Sequence, residues 1–264
     1  MRTRSILFFG LLTVLGCTPS SMQDGEGIQD TPDGVHFDLA RIYLPHGSDR
    51  KNPGHLLAPI IIHESPGNGK TGAPPLLDFD GDKPRVRLLR SEVELNGVTH
   101  PQLTYSWEYG KTTTGSPALR PGRLLRMTLD SRGYPAVYEI YTEEGRLRDL
   151  HVSMALEQAA AREYGPPLPG RKYSVETARL DSGETGLSGV VEEPPEALGP
   201  LVYLDSPGRE IVALTCRCSP SKTARAEGSH HYELVELEPG RGGSDNGLPP
   251  PAVALQSLRL PGEF

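Results

Sequence analysis

The residues with the most chemistry to offer are Cys216-Arg217-Cys218 and, further along the chain, His230-His231. If a strand over 211–218 faced a strand over 230–237 as a hairpin, residues two apart would share a face. Cys216 and Cys218 would then lie with Val212 and Leu214, and His230 with Tyr232 and Leu234, while His231 points the other way. Two thiolates and one imidazole brought together suit Zn²⁺ or copper, although C-x-C is tighter than the usual C-x₂₋₄-C of structural zinc. Three other readings stay open for the same pair. One is redox chemistry, and another is two inert, partly buried thiols beside ordinary surface histidines. The third is a Cys216–Cys218 disulfide, which requires a local bend. In an extended strand, Cα atoms two apart lie about 6.5–7 Å from one another, the outer limit for a bridge.

Other constellations are weaker. Glu64-Ser65-Pro66-Gly67-Asn68-Gly69-Lys70-Thr71 has the outline of a phosphate-binding loop after an apolar strand. Glu64, however, places a negative charge where the first Gly should stand, and Pro74-Pro75 block the helix whose amino terminus would hold the phosphates. It reads as a surface loop, with no nucleotide as partner. Asp78, Asp80 and Asp82 alternate as Ca²⁺ ligands can, but Lys83 and Leu89 occupy the positions where an EF-hand needs Gly and Glu. An acidic glycine turn is the simpler account. There is neither a Gly-x-Ser-x-Gly elbow nor a His-Glu-x-x-His, and His63, His100 and His151 are scattered. No catalytic residue can be named, so the catalytic site is unknown.

The elements that must position these residues are mostly strands. Val93-Glu94-Leu95 runs into Asn96-Gly97, the strongest short hairpin signal, and a partner strand follows around 102–109 with Trp107. Leu125, Met127 and Leu129 alternate with Arg126, Thr128 and Asp130. Turns at Arg132-Gly133-Tyr134-Pro135 and Glu143-Glu144-Gly145 lead into two more strands, which makes an antiparallel meander. One principal helix follows at about 153–164, with Ser153 as N-cap, four alanines within it and Gly165-Pro166-Pro167 to end it. A second strand group covers 201–204, 211–216 and 232–237. The predicted class is α+β, a mainly antiparallel sheet with this one helix.

The chain carries 30 Gly and 26 Pro in 264 residues, roughly 21%, just under the level that suggests disorder. Its apolar content, roughly 44%, is close to the globular norm. The formal charge is −7, with no basic block. Nucleic acid is therefore a poor partner, since a Lys/Arg-rich face would be needed.

Residues 1–16 read MRTRSILFFGLLTVLG, with Arg2 and Arg4 ahead of a short apolar run, and Cys17 follows. The run falls short of the about 20 residues a membrane span needs and suits an export signal. Val14-Leu15-Gly16-Cys17 resembles the lipobox of bacterial lipoproteins. The resemblance implies that Cys17 is diacylated, that the signal is then cut before it and that the new amino terminus is acylated, a palmitate-type membrane anchor; two or more chains make such an anchor stable. The same resemblance implies, from Thr18 standing where Asp would retain the protein, sorting to the outer membrane, facing the periplasm.

The expected organisation is a signal peptide at 1–16, a lipidated Cys17 with a flexible acidic tether to 34, one domain at 35–238, and a disordered Pro/Gly-rich tail at 239–264. The expected function is a lipid-anchored extracytoplasmic binding or envelope-structural lipoprotein, with the membrane and an envelope protein as partners. The alternatives are a metal-handling or redox lipoprotein using Cys216, Cys218 and His230, and a hydrolase whose site the sequence does not disclose.

Overall fold

The computed structural model describes residues 37–47, 49, 51–65, 84–107, 123–142, 144–177, 186–205, 210–218, 226–237, 255 and 258–264. The expected signal peptide, Cys17, the expected tether, the greater part of the phosphate-loop-like stretch, Asp78, Asp80 and Asp82, and tail residues 239–254 lie outside them.

Asn96 and Gly97 both take positive φ, 53° and 77°, which the type I′ turn demands and which Asn and Gly tolerate best. They join β3 (Arg85–Leu95) to β4 (Val98–Trp107), in register from Leu95 opposite Val98 to Arg87 opposite Ser106. The meander continues with β5 (Arg123–Leu129), β6 (Pro135–Tyr141) and β7 (Leu147–Ser153), each antiparallel to the last. Ser153 then caps α2 (Met154–Tyr164), its Oγ accepting from the Leu156 amide at 3.1 Å. The hairpin, meander and helix are all as the sequence predicts.

The remaining elements are β1 (Ala40–Pro45), α1 (Pro53–Leu56), β2 (Ile60–Glu64), β8 (Leu187–Val191), β9 (Leu201–Leu204), β10 (Ile211–Thr215) and β11 (Ala226–Leu237). All eleven strands form one sheet, ordered β10-β9-β2-β1-β11-β3-β4-β5-β6-β7-β8, which curls into a nearly closed, barrel-like shape. Four neighbouring pairs are parallel: β9 with β2, β1 with β11, β11 with β3, and β7 with β8. The fold is thus a mixed, predominantly β structure rather than the α+β class expected. Among the described residues the helices are one of four residues and one of eleven.

Strand alternation builds two layers of core. The larger cluster takes side chains from ten strands, among them Tyr43, Leu88, Tyr105, Trp107, Met127 and Tyr232. Their common side is the inside of the curl. On the opposite face, Val137, Leu150 and Val152 pack beneath Leu156 and Ala160 of α2. Leu255, Leu258 and Leu260 complete this outer layer, exposed by 1%, 7% and 5%. Tyr164 donates to the Leu260 carbonyl at 2.7 Å, and Phe264 stacks on His100 at 4.4 Å. The end of the chain is therefore packed, not part of a disordered tail. The abundance of Pro and Gly hides the spaced leucines at 255, 258 and 260, which are enough to bury this segment.

Candidate functional site

After Thr215, where β10 ends, the chain turns, and the bend brings the Cys216 and Cys218 Cα atoms to 5.1 Å. That lies inside the range a disulfide requires, and the two sulfurs are bridged. Of the alternatives open for the pair, the bridge is the one the structure holds. Cys216 is buried, 3% exposed, in the inner cluster, whereas Cys218 is exposed. The Cys218 amide donates to Cys216 Sγ at 2.8 Å, and the Glu192 carboxylate lies 3.9 Å from Cys218 Sγ. A bridge closing a loop of about three residues adds only about 1.5 kcal/mol on the chain-entropy relation, against about 3 kcal/mol for fifteen.

Arg217 turns inward between the two cysteines. Its guanidinium donates to the Ala58 carbonyl, just past α1. Tyr105 donates to Gly54 O at 2.8 Å and Tyr232 to Pro59 O at 2.7 Å. Three side chains from β4, β11 and the cysteine turn thus satisfy three carbonyls of the segment around α1, which would otherwise be buried without partners. Burial pushes both phenols well above the ordinary tyrosine range and lowers the Arg217 guanidinium. Arg217 Nε is buried without a hydrogen-bond partner.

His230 is elsewhere. The hairpin expected between 211–218 and 230–237 does not form: β10 pairs with β9, and β11 is inserted between β1 and β3. Three strands, β9, β2 and β1, separate the cysteine strand from the histidine strand. His230 is exposed and stacks on Tyr43 of β1 at 5.3 Å, while His231 meets the His46 ring edge-on at 5.9 Å. Among the described residues, no group of three or more His, Cys, Asp and Glu side chains is placed to hold a metal ion. The ligand set Cys216, Cys218 and His230 rests on a pairing the sheet does not make.

A second polar group escapes sequence reasoning. Arg126 alternates with core residues along β5 and is itself 3% exposed, and Glu139 opposite it in register is 0% exposed. Arg126 Nη1 lies 3.8 Å from Glu139 Oε2 and donates to Tyr141 OH at 3.1 Å; Tyr141 in turn donates to Glu139 Oε1 at 2.6 Å. Burial raises the Glu139 carboxyl, with Arg126 and the Tyr141 hydrogen bond pulling the other way. The sequence signal was Glu139 itself, a lone acid in Pro-Ala-Val-Tyr-Glu-Ile-Tyr, a strand buried along its whole length. Further along the same outer face, a groove of about 230 Å³ runs between α2 and the last residues, rimmed by Arg132 and Arg162. Both arginines are already committed, to Asp130 at 2.7 Å and Glu263 at 2.8 Å.

Comparison with protein-family models, curated proteins and solved structures finds no match.

Proposed function

We propose that the chain is a lipid-anchored, extracytoplasmic binding or envelope-structural lipoprotein. Residues 1–17 supply the address, and the state of the other two cysteines supports it. With Cys17 set aside for lipid, Cys216 and Cys218 are bridged to each other, as suits an oxidising compartment. A rigid, curled sheet tethered through 17–34 would present its outer face to an envelope partner while the acyl chains hold the membrane. The anchor faces the periplasm from the outer membrane in this reading.

The test is an intact mass of the protein extracted from envelopes, compared with Cys17→Ala. The expected product lacks residues 1–16 and carries an acyl-chain excess that maps to Cys17; the variant lacks that excess. A wild-type protein that begins elsewhere, or is unmodified at Cys17, would overturn the anchor.

A further inference from the structure

We propose that Cys216 and Cys218 form an exchangeable dithiol–disulfide centre that oxidises paired thiols on an exported polypeptide. Four observations carry it. The bridge is asymmetric, with Cys218 exposed and Cys216 buried, so an incoming thiolate reaches one sulfur and not the other. The sulfur that must leave, Cys216 Sγ, already accepts the Cys218 amide at 2.8 Å, and a hydrogen bond to the charged form favours it. The Glu192 carboxylate lies 3.9 Å from Cys218 Sγ, so of the two sulfurs Cys216 is the better placed to leave with the electron pair. Finally, Arg217 is tied to the Ala58 carbonyl and β10 is laddered to β9. The turn therefore keeps its place whether the bridge is open or closed, as a reagent must and a structural staple need not.

The exchange follows ordinary thiol chemistry. A substrate thiolate attacks Cys218 Sγ. The bond to Cys216 Sγ breaks, its electron pair leaves on Cys216, and a mixed disulfide joins substrate to Cys218. The substrate's second thiolate then attacks its own sulfur in that mixed disulfide, closing the substrate disulfide and expelling Cys218 as the thiolate. The substrate loses two electrons and two protons, and the centre ends as a dithiol. A small-molecule disulfide such as oxidised glutathione restores the bridge by the same steps reversed.

The experiment uses the full chain in detergent carrying Cys17→Ser, so that the bridge holds its last two cysteines, with a reduced two-cysteine peptide as substrate. Peptide disulfide should form with loss of one equivalent of bridge, and millimolar reduced glutathione should leave its adduct on Cys218 by mass mapping. Cys216→Ser, its Cys218 first charged as the mixed disulfide with thionitrobenzoate, should capture a one-cysteine peptide as a mixed disulfide on Cys218 with release of one equivalent of thionitrobenzoate. Cys218→Ser, at an exposed position, should fold by circular dichroism and oxidise the peptide at least tenfold more slowly. An adduct on Cys216, or a bridge that stays closed while the peptide stays reduced, would overturn the proposal.

Discussion

Arg148 and Glu210 meet at 2.7 Å across the opening between the two edge strands of the sheet. Arg148 stands at the start of β7, beside edge strand β8, while Glu210 leads into β10 at the other edge. The same guanidinium donates to the Ile211 carbonyl and pairs with Asp149 at 2.7 Å. At the far end of the opening, Glu192 approaches Cys218 from just beyond β8. Side chains at both ends thus span a seam that the described backbone leaves unladdered. Covering the edges in this way blunts the unpaired groups that invite other chains.

Arg148→Met should loosen that seam. The pair is partly exposed, with side chains 29% and 44% accessible, so screening limits the loss to about 1 kcal/mol. For a domain of this size that lowers Tm by about 2–4 °C. Amide exchange in β8 and β10 should quicken while β4 and β5 are unchanged. Equal protection of β8 and β10 in variant and wild type would show that the seam does not depend on this residue.

Removing one partner of the buried ion pair should cost far more. Arg126→Met strands the Glu139 carboxylate without its cation, a change worth about 3–5 kcal/mol. Arg126→Met combined with Glu139→Leu should recover a large part of that loss. Urea denaturation of the two single variants and the double measures the coupling, and additive losses would contradict the pairing.

Burial holds the His151 imidazole down at about 4, against 6.5 for a free histidine, with Asp149 opposing in part. The folded value is depressed, so its contribution to stability is complete above pH 6.5 and is lost as pH falls towards 4. Relative to His151→Gln, the wild type should weaken steadily across that window. A His151 imidazole resonance that titrates near 6.5 in the folded protein would refute this.

Gly199 sits against the segment after α1, its amide donating to Leu56 O at 3.4 Å. A Cβ there would overlap the Leu57 carbonyl oxygen, a backbone atom that cannot swing aside. Gly199→Ala should therefore destabilise by about 1–3 kcal/mol, read as a shift in the urea midpoint without a change in slope. A neutral result would mean that the capping segment floats free of residue 199.

Local features were legible in the sequence wherever the chain's own neighbours decide them. Asn96-Gly97, the meander turns and the Ser153 cap each need only a few adjacent residues, and each is where expected. Alternation also told which residues share a face. It could not tell which strand lies alongside, so Cys216 and His230 were brought together by a hairpin that β11 declines in favour of β1 and β3. Nor could it show that the second face is covered too, which is how Arg126 and Glu139, set among alternating neighbours like any solvent pair, came to be buried. The cysteine bridge depended on a bend after Thr215 that nothing in Thr-Cys-Arg-Cys-Ser announces.

The place of β11 governs how this protein can be made. Its residues are among the last to leave the ribosome, yet they sit mid-sheet, with His230 beside Tyr43 and Glu233 beside Arg85. Until they arrive, β1 and β3 have no common neighbour and the curl is missing its middle stave. Contacts so distant in sequence close slowly. A nascent chain therefore lacks the middle of its sheet for most of its synthesis, and the curl is finished only when its late strand slots between two early ones.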